Sequence, residues 1–130
     1  MSSRQQAIDQ TLACFDDGRF QNVLARRVAM RTESQDAAAG PALRAYLSDE
    51  IAPELARLGF ACRIVENPVE PRCPFLIAER RESGAAFTLL TYGHGDVVRG
   101  YDAQWRDGLN PWEIVVEGNR WYGRGTADMK

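Results

Sequence analysis

Phe87-Thr88-Leu89-Leu90-Thr91-Tyr92, running straight into Gly93-His94-Gly95-Asp96-Val97-Val98, is the stretch on which the fold turns. Its first six residues are a short apolar run ending at a glycine, the composition of a strand buried on both faces. Such a strand needs neighbours and covering layers, and the flanking sequence offers both. Phe60 to Val65, Phe75 to Glu79 and Ile114 to Val116 read as further short strands, the last closed by the turn signal Glu117-Gly118-Asn119. The first sixty residues carry the helical period instead. Ala7, Ile8, Leu12 and Phe15 recur at three- and four-residue spacing, Gly18 interrupts, and Phe20, Val23, Leu24 and Val28 resume. Thr32 to Gly40 reads as a connection, and Pro41 suits the first turn of a third helix. Leu43, Leu47, Ile51, Leu55 and Leu58 stripe that helix, Pro53 predicts a kink or break, and Gly59 stands where a left-handed C-terminal residue belongs. The expected fold is α/β: N-terminal helices followed by part of a mixed, largely parallel sheet.

Composition bounds the function. With 130 residues, 45% hydrophobic and 26% charged, the chain sits in the ordinary globular range. A net charge of −2 and a pI of about 5.4 leave no electrostatic footprint for nucleic acid or an anionic membrane, so neither is an expected partner. The opening MSSRQQAIDQ lacks the apolar core of a signal peptide. Cys14, Cys62 and Cys73 form no C-x-x-C and suit reduced thiols, so the expected location is cytoplasmic.

His94 is the one histidine of the chain and falls at a strand's carboxyl end, where α/β sheets gather their ligands. Asp96 follows at the shortest spacing that puts two side chains of an extended segment on one side. A carboxylate there can fix the imidazole tautomer and make the free nitrogen a better ligand or base. A packed, hydrogen-bonded histidine satisfies the same residues. Gly93 and Gly95 begin a G-x-G-x-x-G pattern, but Val98 holds the third glycine position, so nucleotide binding is unsupported. A second cluster runs from Trp121 through Gly123-Arg124-Gly125 to Asp128-Met129-Lys130. Asp128 reads either as a helix N-cap or as an oxygen ligand brought back towards His94. Glu113 and Glu117 lie in a strand-like stretch and are expected to face solvent. Two ligands are too few for a catalytic zinc, which generally takes three from the protein.

Taken together, Gly93-His94-Gly95-Asp96-Val97-Val98, Trp105, Asn110-Pro111-Trp112 and Gly118-Asn119-Arg120-Trp121-Tyr122-Gly123-Arg124-Gly125-Thr126-Ala127-Asp128-Met129-Lys130 resemble the opening motifs of the M20 family of metallopeptidases and amidohydrolases. That family includes carboxypeptidases, dipeptidases, acetylornithine deacetylase and succinyl-diaminopimelate desuccinylase. The resemblance implies that His94 and Asp128 are metal ligands, Asp128 bridging two zinc ions, and that Asp96 is the catalytic carboxylate that orients His94. Cobalt or manganese could fit the same ligands. Arg124 has a place in the motif that implies support of the loop, and Arg99 stands where the family usually has proline.

The resemblance also implies that residues 1–130 are the N-terminal portion of the catalytic domain of a longer hydrolase. The Glu-Glu pair that carries the base, the other ligands and any dimerisation domain would lie beyond Lys130. The complete enzyme is expected to cleave a small peptide or N-acyl amino acid, with a homodimer among its expected forms, and the isolated chain to be inactive. The alternative is a non-catalytic remnant or interaction module that keeps part of the hydrolase fold.

Overall fold

The computed structural model describes residues 3–130. Its N-terminal half is helical: α1 spans Ser3–Asp16 and α2 Arg19–Ala29, with Gly18 between them at φ 81°. The α2 stripe turns Leu24 and Val28 inward, and Val28 is wholly buried. Burying one such side chain is worth roughly 1.5–3 kcal/mol. The Thr32–Gly40 connection contains a 3-10 turn, Ala37–Ala39, before α3 (Gly40–Ala45) begins with Pro41 in its first turn.

Between α3 and α4 (Ala52–Arg57) the backbone widens into a π-helical stretch, Tyr46–Ile51, just ahead of Pro53. Proline has no N–H to give the carbonyl four residues back, so the helix is interrupted there, the expected break taking the form of a π turn. The C-terminus of α4 is closed as its glycine predicts. Gly59 takes φ 85°, its N–H bonds to the Ala56 carbonyl, and the Phe60 N–H reaches the Leu55 carbonyl.

Two small sheets follow. β1 (Ala61–Val65) pairs antiparallel with β2 (Phe75–Glu79), Ala61 opposite Glu79 and Val65 opposite Phe75. β3 (Val115–Glu117) pairs antiparallel with β4 (Arg120–Tyr122) around Gly118-Asn119. The largely parallel sheet expected from the sequence is therefore corrected: both sheets are two-stranded and antiparallel. The parallel pairing that does occur is a single bridge, Glu33 to Val97.

The anticipated buried strand at Phe87 to Tyr92 does not form either. No strand pairs with it among the described residues, and Phe87, Leu89, Leu90 and Tyr92 are all exposed. Apolar composition states a need for partners; it does not supply them. The buried apolar residues are Leu24, Val28, Ala39, Leu43, Tyr46, Val97 and Trp112, a core centred where α2, α3 and the 93–98 loop meet. Among the described residues, no helix is long and apolar enough to cross a membrane.

Candidate functional site

The loop bearing His94 and Asp96 is fixed by segments distant in sequence. Thr32, wholly buried, donates its hydroxyl to the Gly95 carbonyl at 2.6 Å and accepts the Val97 N–H on its own carbonyl at 2.8 Å. Ser34 N–H returns a bond to the Val97 carbonyl at 3.2 Å, and Glu33 accepts from the Gly100 N–H at 2.8 Å. On the other flank the Tyr46 ring lies against Gly95 so closely that an added Cβ would stand 1.9 Å from Cε1. Only glycine allows that approach. Burial of Tyr46 raises the pKa of its phenol, an effect the nearby Arg27 opposes.

Within this frame the three residues singled out by the sequence meet. His94 Nδ1 lies 3.1 Å from the Asp96 carbonyl oxygen and 3.3 Å from its Oδ1. On the opposite side of the ring, Nε2 lies 3.2 Å from Asp128 Oδ1. With Nδ1–H donated to Asp96, a neutral imidazole turns its Nε2 lone pair on a carboxylate oxygen. Two acceptors hold that distance when a proton or a cation sits between them.

The spacing fits a cation. Zinc–nitrogen and zinc–oxygen bonds of about 2.0–2.2 Å at a tetrahedral angle put the two ligand atoms about 3.4 Å apart. All three side chains are a third to nearly half exposed, so the position is open to solvent. It borders a cleft of about 550 Å³ lined by Tyr46, Leu47, Phe75, Tyr92, His94 and Met129 among others, a volume typical of small-ligand sites.

Asp128 is delivered by a run of turns, and its Oδ1 accepts from the next residue's N–H at 2.9 Å. The turns are anchored at both ends. Arg124 N–H bonds to the Pro111 carbonyl at 2.6 Å, and its guanidinium reaches the Gly100 carbonyl at 3.2 Å above the Trp105 ring. Lys130 is buried, donates to the Met30 carbonyl, and lies 5.9 Å from the Tyr46 ring centroid and 5.8 Å from that of Trp112. Burial lowers its pKa from 10.5 to about 8, with Glu33 opposing.

Glu113 and Glu117 are exposed, the first accepting from Asn110 and the second paired with Arg106. Arg99 is exposed, with its guanidinium at the Gln35 carbonyl. The three cysteines are free, and Cys73 lines the same cleft. Among the described residues no group of three or more His, Cys, Asp or Glu is placed to hold one metal ion. Asp96 addresses the far nitrogen, leaving two donors on a common point. Sequence reasoning missed Thr32, Glu33 and Tyr46. Thr32 and Glu33 sit in a polar connection and Tyr46 in a helix stripe, and no local signal marks any of them.

Neither a family model nor a solved structure matches the chain. Curated relatives do. The chain is 42% identical over 80 residues to the succinyl-diaminopimelate desuccinylase of Variovorax paradoxus, an alignment covering 58% of this chain and 20% of that protein. It is 35% identical over 86 residues to the acetylornithine deacetylase of Vibrio campbellii, covering 66% and 21%. With the cysteinylglycine-S-conjugate dipeptidase of Corynebacterium striatum it shares 35% over 68 residues, covering 52% and 14%. The aligned part thus spans about a fifth or less of these relatives' length. In its motifs the chain resembles the M20 family, and in aligned sequence it is similar to proteins named as a desuccinylase, a deacetylase and a dipeptidase.

Proposed function

We propose that this chain carries one metal-ligating corner of an amide-bond hydrolase, with His94 Nε2 and Asp128 sharing a zinc ion and Asp96 holding the imidazole. The observation that carries this reading is the line Asp96–His94–Asp128, at 3.3 Å on one side and 3.2 Å on the other, beside an open cleft. When bound, the metal would supply Lewis-acid polarisation of a carbonyl and a water of lowered pKa. Asp96 keeps the proton on Nδ1, which leaves the Nε2 lone pair to face the metal. Asp128 supplies negative charge to the same point, and in a complete di-zinc site it would bridge the second ion. The relatives' names favour a small N-acyl amino acid or peptide as substrate. The three free thiols suit a reducing compartment such as the cytoplasm.

Two donors at one point fall short of the three that catalytic zinc sites generally use. Further ligands and the general base therefore come from outside these 130 residues, and the chain alone is inactive. Calorimetric titration with zinc tests this. Binding in the micromolar range or weaker, abolished by His94→Ala, is expected, together with no zinc-dependent amidase activity. Zinc uptake that His94→Ala leaves unchanged would sink the site, and amidase activity of the purified chain would sink the claim of inactivity.

A second reading, an interaction module without catalysis, is favoured by the exposed apolar strip of Phe87, Leu89, Leu90 and Tyr92. Light scattering separates the two. Defined oligomers that form without zinc and are unaffected by His94→Ala support the module.

A further inference from the structure

We propose that Thr32 is a positioning residue that sets the tautomer and aim of His94 by gripping both peptide groups of Asp96. The hydroxyl of Thr32 donates to the Gly95 carbonyl, which belongs to the peptide on the N-terminal side of Asp96. Its carbonyl accepts from the Val97 N–H, which belongs to the peptide on the C-terminal side. Those two planes define φ and ψ of Asp96, so one residue fixes the direction of its carbonyl and of its Cα–Cβ bond together. The carboxylate and the carbonyl both face Nδ1 of His94, at 3.3 and 3.1 Å.

The coupling through the second peptide is direct. The peptide whose N–H is held by Thr32 is the one whose oxygen receives His94 Nδ1, and hydrogen bonds in such a chain polarise one another. Thr32 itself is wholly buried, and its N–H is occupied by the Met30 carbonyl at 2.9 Å, so it has little freedom to yield. Asp96 and His94 are a third or more exposed. Their order therefore owes more to the backbone beneath them, where Thr32 holds both sides of Asp96, than to packing of their own side chains.

Thr32→Val removes the hydroxyl at nearly constant shape, and Thr32→Ser keeps the hydroxyl while removing the methyl. Because the chain has one histidine, the imidazole nitrogens can be followed by 15N NMR without ambiguity. Asp128→Ala removes the second acceptor facing Nε2, and in that background, without metal and with the imidazole neutral, the chain with Thr32 intact is expected to show a single tautomer protonated at Nδ1. Thr32→Val is expected to lose that bias, its two nitrogen shifts converging as the tautomers mix, while the Val97 amide keeps its protection from exchange. Thr32→Ser is expected to retain the shifts of the chain with Thr32 intact. Unchanged nitrogen shifts in Thr32→Val, converged shifts in Thr32→Ser, or loss of Val97 protection in step with the tautomer change would each overturn the proposal.

The affinity consequence rests on the proposed metal site: Thr32→Val is expected to weaken zinc binding about tenfold. A wild-type chain that takes up no zinc defeats the metal reading but leaves the tautomer experiment to judge Thr32 alone.

Discussion

Leu90 and Val97 are aliphatic residues seven positions apart, yet Leu90 is 92% exposed and Val97 3%. The difference lies in what reaches them from elsewhere. Val97 has a partner on its backbone, Thr32 and Ser34, and the Tyr46 ring presses on the loop beside it. Among the described residues no strand pairs with residues 87–92. Apolar character is nearly equal in the two stretches, so burial here is decided by tertiary partners rather than by local composition.

The largest test of that contrast compares Gly95→Ala with Leu90→Ser. A methyl at Gly95 meets a buried ring that cannot move aside, so a loss of about 3 kcal/mol or more is expected in urea denaturation. Leu90→Ser should stay within about 0.5 kcal/mol of the parent. Equal losses would mean that the 87–92 segment is buried after all.

Amide exchange sharpens the same comparison without mutation. The Val97 N–H should exchange on the order of a hundredfold more slowly than those of Leu89 and Leu90. Comparable protection would reveal a partner for the strip.

The pH dependence of the clamped region centres on Lys130. Its folded pKa of about 8 lies below the ordinary 10.5, so the unfolded chain binds the proton more tightly. The full cost is present below about pH 8 and is relieved as pH rises from there towards 10.5. Lys130→Met should therefore be more stable than the parent by about 2 kcal/mol at pH 7, its advantage shrinking through that window. An advantage that does not change with pH would assign the effect to packing alone.

A smaller loss than at Gly95 is expected at the periphery, where Phe15 of α1 stacks on Trp121 of β4 at 5.7 Å and 8°. Both α1 and its apolar residues Ile8, Leu12 and Phe15 are largely exposed. Phe15→Ala should cost about 1 kcal/mol, read as a small shift in thermal midpoint.

Much of this was present in the sequence, and what was missing has a pattern. Pro53 and Gly59 act on their own backbone, so their break and cap could be read directly. The His94–Asp96 pair was readable from spacing, because two residues in an extended loop share a side. Asp128 lies 34 positions beyond His94; the residues alone left it between an N-cap and a ligand brought back towards His94, and the motif resemblance favoured the ligand. Thr32 was invisible because its function lies in two bonds to residues more than sixty positions away, and a buried threonine in a polar connection looks like any other. The sheet was misjudged for the same reason: FTLLTY carries the composition of a buried strand, while its neighbours are a property of the whole chain.

The bonds of Thr32 also bear on the order in which the molecule assembles. Thr32 and Gly95 are 63 residues apart, and Lys130 and Met30 are 100 apart, whereas Val65 and Phe75 close the β1–β2 hairpin over ten. Each doubling of a closed loop costs about 0.6 kcal/mol of chain entropy, so the Thr32 closure starts about 1.6 kcal/mol behind the hairpin. The helices and hairpins can nucleate locally and early, and the groups around His94 come together last. The imidazole and its two carboxylates would then remain apart through most of the folding reaction, free to engage metal only once the rest of the chain has taken shape.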